Sequence, residues 1–276
     1  MRQSTFMSTG LAVFTAVLAG ACGGGQAPVY SLQPTDAPLR YTITAVGSQT
    51  VETPNGPAGG GFDTDAVVLL SLGEAASAGR AFSVKFESFD AILESQLGKN
   101  KVDGSSVVGP EFRGVVISGG AIRMTETPEV EAGVYDENSI VAMFPDLLAP
   151  LPPGGSNQVE SWPHAYVLPS GGGLDGQASY TGTARFAGDT TWNGVPATVI
   201  VSEGTVHAEG RGTPQGAPGE VELSADGDAS AVYVWDPRTG VLLAMRAESE
   251  SVGAVTTMGF DLPLVLKSMR EARLDH

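Results

Sequence analysis

The sequence predicts a mostly β fold: one antiparallel curved sheet or half-barrel with a short central helix and a C-terminal helical turn. Three observations carry this reading. Glycine (37) and proline (18) are abundant and only 17% of residues are charged, which is the profile of many short strands joined by turns. Through most of the chain, apolar residues recur at every second position, as half-buried strands require. Only two stretches, one central and one C-terminal, change to helical spacing.

Taken in order, the period of two begins at Leu39, where Tyr41, Ile43 and Ala45 alternate with Thr42 and Thr44. A second strand covers Ala66 to Leu72. Ser77-Ala78-Gly79-Arg80 turns the chain, and Phe82, Val84 and Phe86 then alternate with Ser83, Lys85 and Glu87, which predicts a hairpin. The next segment, SFDAILESQL, reads as strand or short helix, and LGKNKVDGSS as an exposed loop. Phe112–Ile117 and Ala121–Thr125 form another hairpin, turned by Ser118-Gly119-Gly120. In the middle, Asn138 and Ser139 offer helix caps, and Ile140, Met143, Phe144, Leu147 and Leu148 fall at helical spacings until Pro145 kinks or ends the helix. The prolines and glycines from Pro150 to Gly155 mark the one internal boundary. Beyond it, strands are expected at Trp162–Leu168, Ser179–Phe186, Ala197–Glu203, Thr205–Glu209, Glu220–Ser224, Ala229–Trp235, Val241–Ser249 and Ala254–Leu262. WDPRTGV is the clearest turn: Pro237 presets its φ and Gly240 can take the left-handed conformation. In the final LVLKSMREARLDH, Leu264, Leu266 and Met269 suit one face of a helix that carries Lys267, Arg270 and Arg273 on the other. The two halves, 39–150 and 156–276, open on the related strings LRYTITAVG and ASYTGTARF, which is compatible with an internal duplication.

The N-terminal 21 residues carry one charge, Arg2, then an apolar run from Leu11 to Leu18 and small residues before Cys22, the sole cysteine. This is an export signal pattern, and the run is too short to span a bilayer comfortably. Leu18-Ala19-Gly20-Ala21-Cys22 resembles the lipobox of bacterial lipoproteins. That resemblance implies cleavage before Cys22 and a diacylglycerol on its sulfur, hence a membrane anchor through Cys22. An ordinary secretory signal cut after Ala21 and an uncleaved anchor are the alternatives. Residues 22–38 lack any apolar period and read as a flexible tether, its coil on the order of 20 Å long. Gly23 in place of Asp implies, by the same resemblance, outer-membrane rather than inner-membrane sorting, with the protein in the cell envelope facing the periplasm or the surface.

The formal net charge of −16 repels the phosphates of nucleic acid, which excludes that partner class. A single cysteine allows no internal disulfide, so the apolar core alone must stabilise the exported fold.

No chemical motif stands out after Cys22. His164 and His207 sit inside strand patterns, His276 ends the chain, and none has a second ligand at metal spacing. The glycine-rich GPAGGGFDTD and SGGGLDG lack the following helix that a phosphate cradle needs. Asp226-Gly227-Asp228 lacks the later ligands of a calcium loop and reads as a hairpin tip. No cofactor or metal is therefore expected, nor an enzyme. Trp162, Trp192 and Trp235 fall in the second half as core or as ligand-facing aromatics.

The order of strands, central helix, PPGGSNQVESW, more strands and the DPRTG hairpin is similar to that of a group of uncharacterised bacterial lipoproteins. More distantly it resembles the carriers LolA and LolB and the mycobacterial LppX and LprG, which implies a curved sheet wrapped around short helices and an apolar cavity. In such a sheet, alternation would let Phe82, Val84 and Phe86 from one half and Trp235, Leu243 and Met245 from the other line a shared interior. The expected function is a lipid-anchored, non-enzymatic envelope protein that binds an apolar ligand or lipid. The alternative is an envelope scaffold that docks another envelope protein and has no cavity.

Overall fold

The computed structural model describes residues 28–275 apart from 78, 96–97, 118–120, 131–134 and 214–218. Cys22 with its signal, the Ser118-Gly119-Gly120 turn and His276 lie outside the described residues. Twelve strands form one antiparallel sheet that is curved and nearly closed: β1 Leu39–Thr53, β2 Gly56–Ala76, β3 Gly79–Ser95, β4 Gly98–Val102, β5 Glu111–Val116, β6 Ile122–Glu126, β7 Ser161–Pro169, β8 Leu174–Trp192, β9 Val195–Gly212, β10 Val221–Asp236, β11 Val241–Thr257 and β12 Phe260–Leu274. Across the sheet the order is β6-β5-β3-β2-β1-β12-β11-β10-β9-β8-β7, with β4 folded back on the end of β3. The chain therefore enters at the middle of the sheet and works outward to β6. It then crosses the concave side and returns from the β7 edge until β12 pairs with β1.

That crossing, residues 127–160, holds helix α1 (Glu137–Val141) and a 3₁₀ turn at Phe144–Leu147. Asp136 caps α1, its Oδ1 accepting from the Ser139 amide at 2.9 Å, two positions before the first of the caps read from sequence. Pro145 stops the α-helix by removing a donor, and the chain tightens into 3₁₀ geometry instead. Ile140, Phe144, Leu147 and Leu148 are all buried, so this segment plugs the concave face.

Four sequence expectations need correction. The C-terminal residues form no helix: Phe260–Leu274 is a central strand paired along both edges, to β1 and to β11. Helix propensity in KSMREARL loses to two hydrogen-bonded neighbours and to a period of two that buries Leu264 and Ala272 on one face. Pro263 is tolerated because β1 pairing begins only at Val51 with Leu264. Second, Asp226-Gly227-Asp228 is no hairpin tip but the middle of β10, with Gly227 opposite Ser251. Third, Gly98–Val102 of the expected loop forms strand β4. Fourth, the segment read as a tether is docked from Val29 onward. Val29 N donates to Pro237 O at 2.5 Å, Tyr30 is buried, and Trp235 Nε1 donates to Val29 O at 2.8 Å.

The DPRTG hairpin forms as read. Gly240 has φ +71° and donates its amide to Asp236 O at 2.9 Å. The register slips by one beside it, between Val234 and Trp235.

Candidate functional site

The concave face divides into an apolar part and a polar part, with the plug between them. On the apolar side, Phe82, Val84 and Phe86 of β3 are buried with Phe112 of β5. Phe144 of the plug packs its ring on three of these walls, with centroids 6.2 Å from Phe82, 6.4 Å from Phe86 and 5.5 Å from Phe112. Edge-on and tilted aromatic contacts of this kind fill space closely.

Of the six residues expected to line a shared interior, five lie in one contiguous apolar cluster: Phe82, Val84, Phe86, Trp235 and Met245. Leu243 does not join it. It is the extra residue opposite the slip between Val234 and Trp235, so facing parity shifts and Leu242 enters the cluster beside Met245. Leu243 is buried elsewhere. Trp162 is also buried and donates its Nε1 to Pro150 O at 2.9 Å, tying the plug segment to β7. Trp192 is half-buried at the end of β8.

The polar part holds residues that the sequence did not single out. Arg270 of β12 points to the plug, where its Nη1 lies 3.3 Å from Asp146 Oδ2 and donates to Ala142 O at 3.5 Å. Asp146 is 4% exposed, and among the described residues its Oδ2 is the buried side-chain atom without a hydrogen bond. Burial pushes its carboxyl up to about 6, against the pull of Arg270. The Asp146 charge, in turn, raises the already high pKa of Arg270. Beside the pair lies a cavity of about 50 Å³ whose lining includes His164, Tyr166, Tyr180 and Tyr233. That volume suits one or two water molecules and no alkyl chain.

His164 is buried, and its Nδ1 lies 2.8 Å from Ser202 Oγ, which also meets Tyr180 OH at 2.7 Å. Burial lowers its pKa to about 4, so the ring is neutral at pH 7. This is a serine beside a histidine, yet Ser202 is 1% exposed, closed to any substrate in this conformation. His207 is exposed, paired with Asp226 at 2.8 Å and Glu209 at 3.6 Å, and its pKa is raised by the Asp226 hydrogen bond. Among the described residues, no group of three or more His, Cys, Asp or Glu could hold a metal ion.

One signal could have found Arg270. Counted with a period of two, it shares a face with Leu264, Leu266 and Ala272, and a lone charge on an apolar strand face needs a partner inside. Counted as a helix, it fell on the solvated side.

No protein-family model matches the sequence, and no curated protein matches it. Among solved structures, the chain is similar to an outer membrane lipoprotein-sorting protein domain from Vibrio parahaemolyticus, at 9% identity and a TM-score of 0.15 over 83% of each chain. It is also similar to a DUF1329 family protein from Desulfovibrio piger, at 8% identity and a TM-score of 0.17 over 87% of each chain.

Proposed function

We propose that the chain is a non-enzymatic cell-envelope protein, anchored in the outer membrane through lipidated Cys22, that binds an apolar ligand or lipid where its plug now sits. The observation that supports this most is the nature of the plug. The apolar wall is covered by α1, five residues long, and a four-residue 3₁₀ turn, where a stable core would use a second sheet or long helices. Few hydrogen bonds hold such a segment, so it belongs to the low-stability end of the fold. Exchanging the plug for an alkyl chain would replace one set of apolar contacts by another, with roughly 0.8 kcal/mol per buried methylene to drive it.

Val29 is seven residues after Cys22, at most about 25 Å of chain. Because Val29 is bound at the β10–β11 turn, an acylated Cys22 would hold that end of the sheet toward the membrane. Two or more acyl chains would make the anchor resist salt extraction.

The test is native mass spectrometry of the full-length protein purified from membranes. Mature chains should begin at acylated Cys22 and carry additional lipid that Val84→Trp or Met245→Trp expels while the fold persists. A free Cys22 thiol would refute the anchor. The second reading, a scaffold docking another envelope protein, is favoured by the closed packing around Phe144. Protein that carries no lipid, with Trp variants that merely unfold, would put it first.

A further inference from the structure

The plug meets the wall with a carboxylate, and the wall answers with a guanidinium. Arg270 Nη1 sits 3.3 Å from Asp146 Oδ2 and donates to the Ala142 carbonyl. Two residues before Asp146, Phe144 reaches across to Phe82, Phe86 and Phe112, and Leu147 is buried immediately after it. An acid with apolar groups within one turn of it is thus laid over a wall that is cationic at one end and apolar at the other. Asp146 Oδ2 makes no hydrogen bond of good geometry, so the pair is imperfect, and a small cavity beside it leaves space at the same point.

We infer that the plug stands in for the ligand, and that the ligand is an anionic amphiphile: a carboxylate or phosphate head that replaces Asp146 on Arg270, with an alkyl chain that replaces Phe144 and Leu147. This rests on the apolar-ligand reading and narrows it. A neutral lipid that displaced the plug would strand a largely buried guanidinium, which is costly. A carboxylate or phosphate matches the planar fork of donors and removes that cost. Since the net charge of −16 works against anions in general, the preference must come from Arg270 itself.

The experiment uses the full-length protein in mild detergent, stripped of co-purified lipid, and measures binding of oleate, oleoyl lysophosphatidate, 1-monoolein and inorganic phosphate by calorimetry. At least one of the two anionic lipids should bind about tenfold or more tightly than monoolein, and the tighter of the two assigns the head group. Arg270→Gln should erase that preference and Arg270→Lys should keep part of it. Asp146→Asn, which removes the competing carboxylate, should tighten binding of the anionic lipid severalfold. Equal binding of all three lipids, unaffected by Arg270→Gln, would overturn the inference and leave the apolar-ligand reading standing. Binding of phosphate as tight as that of the lysophosphatidate would make the site a plain anion site and also overturn it. Binding of no lipid at all would remove both. If Arg270→Gln does not fold, weakened anionic-lipid binding by Asp146→Asn is sufficient to reject the proposal.

Discussion

The two halves of the concave face obey the same strand alternation but fill their space in opposite ways. Along β1, β2 and β3 the inward residues are large and apolar, among them Tyr41, Ile43, Leu70, Phe82 and Phe86, and the plug completes their packing. Along β9, β10 and β11 the inward residues are large only at the end that carries Ile200, Tyr233, Trp235 and Met245, and toward the other end they are small, including Gly204, Ala225, Ala229 and Ser251. At that end, neighbouring strands of the curved sheet crowd the inward Cβ positions. A Cβ on Gly227 would lie 2.0 Å from Glu250 O and 2.5 Å from Ser251 Cα, and one on Gly204 would lie 2.5 Å from Gly182 Cα. The comparison teaches that side-chain size, at constant hydrogen bonding, decides where a curved sheet leaves removable volume. The short segment fills the space beside the large residues, which is where removable volume lies.

The largest expected effect comes from emptying that segment. Phe144→Ala should cost about 3–5 kcal/mol, the range for deleting a fully buried aromatic ring, measured as a shift in urea midpoint, and it should create a site for a small apolar probe. A loss near zero would mean that the plug is not part of the packed core. Next, the second half should reject bulk. Gly227→Ala should cost about 1–3 kcal/mol through backbone displacement, again read in urea. If it is neutral, the strands do not approach as closely as described.

A smaller effect separates the two buried titrating groups. Asp146 has a folded pKa of about 6, above its usual 3.8, so it binds more protons folded than unfolded and its contribution to stability falls as pH rises through that window. His164 runs the other way. Its folded pKa of about 4 is below the usual 6.5, so stability is lost as pH falls below 6.5 toward 4. The wild type should therefore show a shallow stability profile from pH 4 to 6.5. His164→Gln should leave stability falling with pH, and Asp146→Asn should leave it rising. Parallel profiles in the two variants would contradict these environments. Smallest of all, Arg211→Ala should leave the midpoint unchanged. The Arg211–Glu220 pair is fully exposed although well formed at 2.7 Å, and water and salt screen such pairs.

Most strand positions and the DPRTG turn could be read from sequence because period-two alternation and turn chemistry are local, but the strand expected at Ala254–Leu262 straddles the β11–β12 turn at Met258-Gly259. What could not be read depended on partners distant in the chain. The segment LVLKSMREARLDH looks helical until β1 and β11 pair with both edges of β12. Asp226-Gly227-Asp228 looks like a tip until Ser251 is seen opposite Gly227. Leu243 looks inward until the adjacent bulge shifts parity. The candidate site was half legible: the apolar wall followed from alternation at Phe82, Val84 and Phe86. Asp146 and Arg270, 124 positions apart in the numbering, meet only because the chain crosses from one sheet edge to the other.

If ligand and plug compete for one wall, hydrogen exchange of the full-length protein with and without oleate will read the exchange. The amides of Ala142, Asp146 and Leu148, which bond to Asn138 O, Met143 O and Pro145 O in the closed form, should lose protection when oleate binds, while β1 and β12 keep theirs. Protection of the plug that is unchanged or increased at saturating oleate would mean that ligand and plug do not compete.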